Sequence, residues 1–209
     1  MAKESSLKNM VLVLTLITCV AAALLAAVYG LTKDPIAQAA INKVNAAIQD
    51  VLPEFDNNPF EEKKELPLEG ASIVESSLYR ESAPESLTFY PATKNGKLVG
   101  MAVETFTNQG FSGRITLMVG FLPDGTINKT SVISHSETPG LGDKIDASKS
   151  DFSKQFEGKD PAIFKLMVKK DGGDVDAITA STITSRAFCD AMVRAYNAYI
   201  NEKNELVYE

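Results

Sequence analysis

The sequence predicts an α+β fold behind a single N-terminal membrane helix, and three observations carry that expectation. Met10 to Leu31 is a run of 22 residues without a charged side chain. Two turn signals, Lys94-Asn95-Gly96 and Pro123-Asp124-Gly125, each separate a pair of apolar, β-prone runs. An amphipathic stretch from about Ile183 to Lys203 then closes the sequence. Helix, antiparallel strands and helix in that order is the arrangement of a segregated α+β domain.

The apolar run spans about 33 Å as a helix, enough to cross the hydrocarbon of a bilayer. A cleaved signal peptide has a shorter apolar core, of about 7–15 residues, and this run continues past the small residues of Ala22–Ala27. Leu16-Ile17-Thr18-Cys19 hints at a lipoprotein box, yet the sequence stays apolar to Val28 where a lipoprotein turns polar. A retained anchor over residues 10–31 is the expectation. Lys3 and Lys8 against Glu4 make residues 1–9 mildly positive, which assigns that tail to the cytoplasm and residues 32–209 to the other side.

Asp34-Pro35 reads as a helix start, with Asp as N-cap and Pro at the first helical position. Ile41, Val44, Ile48 and Val51 keep helical spacing until Pro53. Residues 54–70 are acidic and aperiodic and read as a surface connection, so 32–70 forms a helical and connecting segment. Strands are expected over Ser86–Thr93 and Lys97–Thr107, joined by the Asn-Gly turn, with Pro91 near an edge or a bulge. Arg114–Phe121 and Thr126–Ser134 form the second pair, where Ile115, Leu117 and Val119 alternate with Thr116 and Met118. A helix over Asp151–Phe156 and a strand over Ile163–Val168 follow. The last helix packs through Phe188, Met192, Ala195, Tyr196 and Tyr199.

Composition narrows the chemistry. Residues 32–209 hold 19 basic and 26 acidic residues, so neither a nucleic-acid footprint nor a polybasic lipid patch is expected. Cys19 lies in the anchor and Cys189 on the last helix, which leaves no disulfide framework and no thiolate metal site. One histidine, His135, makes a histidine metal site or a Ser-His-Asp triad improbable. Asp171, Asp174 and Asp176 lack the order of a calcium loop, and no Gly-x-Gly-x-x-Gly follows a strand. Such a domain fits chemistry borrowed from an organic cofactor.

The densest signal is Asp176 to Ser185, Asp-Ala-Ile-Thr-Ala-Ser-Thr-Ile-Thr-Ser, in which five of ten residues carry hydroxyls. Hydroxyls and unpaired amides at a helix start suit a phosphate, although Ser and Thr are equally the common cap residues. The segment resembles the flavin-attachment motif of the FMN-binding domain family. About 40 residues earlier stands Glu137-Thr138-Pro139-Gly140-Leu141-Gly142, and upstream of it Gly110-Phe111-Ser112-Gly113. Together with the Asp143-Lys144-Ile145 continuation, the lone anchor and the overall length, these motifs resemble the G-type subunit of Rnf ion-translocating electron-transport complexes. The C-type subunit of the sodium-pumping quinone reductase is related but typically longer.

The resemblance implies an antiparallel, β-rich FMN-binding domain over 71–209 with flanking helices. It implies FMN esterified through its phosphate to Thr182, with Thr179, Ala180, Ser181 and Thr184 around it and Asp176 marking the flavin-transfer motif. The core reads Thr179-Ala180-Ser181-Thr182 where Ser-Gly-Ala-Thr is the commoner form. Glu137 and Thr138 are candidates to hydrogen-bond the polar edge of the flavin, Leu141 to stack on it, and Gly140 and Gly142 to allow close backbone approach. Implied partners are the other membrane and iron–sulfur or flavin subunits of such a complex, and a flavin transferase that makes the ester from FAD. The complex would link electron transfer between ferredoxin and NAD to sodium or proton movement. Two rival readings are a cofactor-free assembly subunit and a standalone extracytoplasmic FMN reductase.

Overall fold

The computed structural model describes residues 7–67 and 86–207. Lys3 and Glu4 of the expected cytoplasmic tail, residues 68–70 of the connection and the start of the expected domain at residue 71 lie outside them. The chain divides into two compact units, Met1–Lys43 and Val44–Glu209. Helix α1 runs over Leu7–Val51. In the first unit its apolar side chains, Leu12, Leu14, Leu16, Leu24 and Leu25 among them, are all exposed. Among the described residues this is the one helix long and apolar enough to cross a membrane. The hydroxyls of Thr18 and Thr32 donate back to the Thr15 and Val28 carbonyls, at 3.0 and 2.8 Å, so neither is left unpaired in an apolar setting.

The helix start expected at Asp34 is not there: α1 continues through Pro35. Proline removes one donor from the ladder and leaves the carbonyl four residues earlier, that of Leu31, without its usual partner. Leu31 is 78% exposed and lies at the polar end of the apolar run, where water can take that place. The expected stop before Pro53 is present, since α1 ends at Val51.

In the second unit five strands pair in sequence order as one antiparallel sheet: β1 Lys64–Pro67, β2 Ser86–Lys94, β3 Lys97–Gly110, β4 Gly113–Phe121 and β5 Ile127–Ser134. Asn95 and Gly96, at φ 52° and 72°, make the tight turn between β2 and β3. Pro91 pairs with Met101 of β3, lies past the end of β1 and stands next to the bulge at Ala92/Thr93. At the β4–β5 turn the Asp124 carboxylate accepts from the Thr126 amide at 2.9 Å, which holds its carboxyl below the usual range.

Strand β1 falls in a segment that reads as plain connection. Its Lys-Glu-Leu-Pro sequence has little strand propensity, and it forms because β2 offers an open edge. Residues 56 and 57 peg the rest of that edge: Asn57 accepts from the Thr93 amide and donates to the Pro91 carbonyl, both at 2.9 Å.

Alternation sends the strand side chains to two cores. Met118, Ala102, Tyr90 and Ala92 face the last turns of α1 through Ala47, Ile48 and Val51. Leu117, Val119, Phe121, Val103 and Phe89 face α2, Thr182–Val207. Phe188, Met192, Ala195 and Tyr199 of α2 are buried as its spacing predicts, and Tyr199 stacks on Phe121 at 4.7 Å.

Two expected elements take other forms. The helix over Asp151–Phe156 is only a 3-10 turn at Ser153–Phe156. Ile163–Val168 is not a strand; Val168 makes one isolated bridge to Val175. Asp160 decides this, since its carboxylate caps the Ala162 amide at 2.9 Å while its carbonyl accepts from Ile163 and Phe164 at 3.0 and 2.8 Å. That local capping winds the apolar run into a turn.

Candidate functional site

The hydroxyl-rich segment folds as a tight turn running into α2. The Ser181 amide donates to the Ile178 carbonyl at 3.0 Å, and Ala180 sits in the left-handed region at φ 62°. Ser185 locks this turn from one helical turn further on. Its hydroxyl donates to the Ser181 carbonyl at 3.0 Å and accepts from the Ile178 amide at 2.9 Å. The Ser185 amide also donates to the Ser181 carbonyl, at 3.0 Å. The amides of Thr182, Ile183 and Thr184 precede that bond, so the start of α2 carries donors and a positive dipole end.

The five hydroxyls therefore separate by role. Ser185 holds the turn, Thr184 is buried and donates to Glu137 at 2.6 Å, and Ser181 is 7% exposed. Thr182, the first residue of α2, is half-buried, and Thr179 is exposed. Among the described residues no protein group pairs with the Thr182 hydroxyl.

Ala180 bears a cost that glycine does not, since a Cβ in the left-handed region is disfavoured by about 1–2 kcal/mol. Ala180→Gly should stabilise the chain by about 0.5–1 kcal/mol after the greater freedom of glycine in the unfolded state is deducted. A thermal or urea melt of the variant checks this, and a destabilised variant would show that the turn is not held in this conformation.

The loop after β5 reaches the same place. The Thr138 carbonyl accepts from the Leu141 and Asp143 amides at 3.2 and 3.4 Å, Gly140 turns the backbone at φ 78°, and a 3-10 turn over Gly142–Ile145 follows. Buried Ile145 anchors it, while Pro139, Gly140 and Leu141 stay exposed. Glu137 is buried, and its carboxylate accepts from Thr184 Oγ1 and from the Ser112 amide at 3.0 Å. Its own amide donates to His135 Nδ1 at 3.1 Å. Glu137, read from sequence as a contact to a flavin edge, thus has both oxygens engaged by the protein. Gly142 likewise has a local reason to be glycine, because a Cβ there would stand 2.5 Å from Glu137 Oε2.

The acidic turn before the hydroxyls is fully occupied. Asp171 forms a two-bonded pair with Arg186 at 2.6 and 2.7 Å, which holds the carboxyl below its usual range. The Asp174 carboxylate accepts from the Lys165 amide at 2.7 Å, and that of Asp176 accepts from Lys169 at 2.7 Å. Gln155 clasps the Asp176 backbone, accepting from its amide at 2.8 Å and donating to its carbonyl at 3.2 Å. Among the described residues no group of three or more His, Cys, Asp or Glu stands ready for a metal ion. Cys189 belongs to the core, and burial, with Asp171 adding to it, pushes its thiol up to about 12. It is neither a thiolate nor a nucleophile at neutral pH.

The two segments stand out in the sequence, whereas the contacts that join them do not. Ser112 and Arg186 act through Glu137 and Asp171 on other segments, which no linear pattern marks, while Ser185, one of the hydroxyls of the run, holds its own turn.

Comparison with known proteins gives a consistent picture. Residues 110–197 match the FMN-binding domain family. The G-type subunit of the ion-translocating oxidoreductase complex of Vibrio atlanticus is 34% identical over 206 residues, covering 96% of this chain and 93% of that protein. The same subunits of Shewanella piezotolerans and Aliivibrio fischeri are 35% and 34% identical, each over 97% of this chain and 93% and 95% of their own lengths.

Proposed function

Since the chain belongs to the family of G-type subunits of ion-translocating oxidoreductase complexes, we propose that it is a membrane-anchored electron-transfer subunit carrying FMN esterified to Thr182. The observation that carries this reading is the placement of Thr182 at the first turn of α2. Among the described residues its hydroxyl has no protein partner and the residue is only half-buried, while its buried neighbours Thr184 and Ser185 are committed to the protein. The phosphate would lie against the open amides at the start of α2, where donors and dipole favour an anion. Leu141, exposed on the Gly140–Gly142 loop, offers the ring an apolar face, and Thr138 a polar contact at its edge.

Thr182 is an acceptor and not a catalyst, because among the described residues no base pairs with its hydroxyl to activate it. Attachment requires a flavin transferase with FAD as donor: the Thr182 oxygen forms the new bond to the FMN phosphorus, AMP leaves, and the hydroxyl proton is released. FMN, when bound, supplies the redox chemistry by accepting and passing on electrons. The amides at the start of α2 would hold its phosphate, Leu141 and Thr138 would flank its ring, and α1 anchors the chain in the membrane. The partners are the other membrane and iron–sulfur or flavin subunits of an Rnf-type complex, which couples electron transfer between ferredoxin and NAD to ion movement. Purified from its own membrane, the subunit should bring such proteins with it and show flavin absorbance in the visible; a colourless chain isolated alone would contradict the reading.

Residues 32–209 face away from the cytoplasm, from the basic tail against the near-neutral Lys33-Asp34 flank. Glu61→Cys places a thiol on an exposed turn, while Cys189 is buried and holds its proton. A membrane-impermeant reagent should label Glu61→Cys in intact cells, or in spheroplasts where an outer membrane intervenes. Labelling only after lysis would reverse the topology.

A further inference from the structure

Glu137 is 4% exposed, and among the described residues its carboxylate meets only neutral donors. A buried carboxylate is costly unless its acceptor sites are filled. Here Thr184 Oγ1 fills one oxygen at 2.6 Å and the Ser112 amide the other at 3.0 Å. Two glycines leave room for it, since a Cβ on Gly142 would stand 2.5 Å from Oε2 and one on Gly110 2.7 Å from Oε1. Three segments far apart in sequence therefore meet at one side chain: the β3–β4 turn, the loop after β5 and the first turn of α2.

We propose that Glu137 is a positioning residue for the flavin site, one that fixes the acceptor Thr182 and the 138–142 loop in a single geometry. The inference rests on Thr182 being the attachment residue. Its route is short: Glu137 holds Thr184, and Thr184 shares the first turn of α2 with Thr182. Reaction of a hydroxyl in the active site of a second protein requires that hydroxyl to be presented in one orientation, and ordering it beforehand lowers the cost of doing so. Glu137 acts through these contacts, which engage one acceptor site on each of its oxygens.

The test uses the full chain expressed with the flavin transferase, measuring covalent flavin per chain over time and the melting temperature. Glu137→Gln cannot accept from both Ser112 and Thr184, and Thr184→Val removes the hydroxyl; both should load flavin several-fold more slowly than the parent. Thr184→Ser keeps the donor and should load at the parent rate. The Glu137→Gln/Thr184→Val pair should be no slower than the slower single variant, because both act on one contact. Thr105→Val is the control for lost stability: it removes a buried hydroxyl bonded to the Ala191 carbonyl of α2 at 3.1 Å, remote from the Glu137 contact. It should lower the melting temperature without slowing loading.

Loading of Thr184→Val at the parent rate would overturn the inference, and so would equal slowing by Thr105→Val. If Glu137→Gln does not accumulate, the comparison of Thr184→Val with Thr184→Ser decides alone. Flavin absent from the parent, or retained in Thr182→Ala, would overturn the attachment reading itself, and with it this inference.

Discussion

Thr182→Ala should give a folded, membrane-bound chain that shows no flavin fluorescence after denaturing electrophoresis, where the parent band fluoresces. A phosphoester survives denaturant, whereas flavin held by contacts alone is released. The fold should not suffer. The Thr182 hydroxyl has no protein partner among the described residues, and alanine is a better helix former at the start of α2. The change in stability should stay within about 0.5 kcal/mol, the range of surface substitutions that break no special contact. Loss of flavin without loss of fold separates attachment from stability. Full fluorescence in the variant would place the ester elsewhere, with exposed Thr179 the next hydroxyl to examine.

Gly120→Ala should be the most damaging small substitution in the sheet. A Cβ at Gly120 would lie 2.0 Å from the Val51 carbonyl oxygen and 2.7 Å from its carbon, both main-chain atoms that cannot rotate away. That carbonyl also accepts from Asn128 Nδ2 at 2.8 Å, so the end of α1 is held to the sheet where the methyl group would go. The last turn of α1 would have to lift from β4 and uncover Ile48 and Val51, both buried. The expected cost is about 3 kcal/mol, at the upper end of overpacking, and a melting temperature lower by several degrees. An unchanged melting temperature would mean that α1 does not end against β4.

Local chemistry made much of this fold legible in sequence. Asn95-Gly96 and Asp124-Gly125 mark the turns by the backbone angles they tolerate, so β2 to β5 stand within a few residues of expectation. The packing face of α2 follows equally from spacing. What could not be read depends on neighbours far away in the chain. Strand β1 exists only because β2 presents an edge. Pro35 stays inside α1 where local rules predict a start. Ile163–Val168 has strand composition but yields to the cap at Asp160. At the site the sequence singles out Glu137, Gly142 and Thr184, and the structure brings the three together. The sequence could not show that they bond or pack against one another, because nothing in a linear pattern says that residues 110–113, 137 and 184 share one spot.

Ala180 shows the opposite case, in which structure explains a sequence detail. The flavin-attachment motif that this segment resembles more commonly has glycine there, and a φ of 62° is one that glycine adopts without a Cβ penalty. Alanine at this φ strains the turn without blocking it.

The mass of the intact subunit reports the attachment of FMN most directly. The native subunit, isolated from its membrane and measured intact by mass spectrometry, should exceed its polypeptide mass by FMN less one water. Fragmentation should place the addition on Thr182. An unmodified mass, or an addition on any other residue, would contradict this account of the protein.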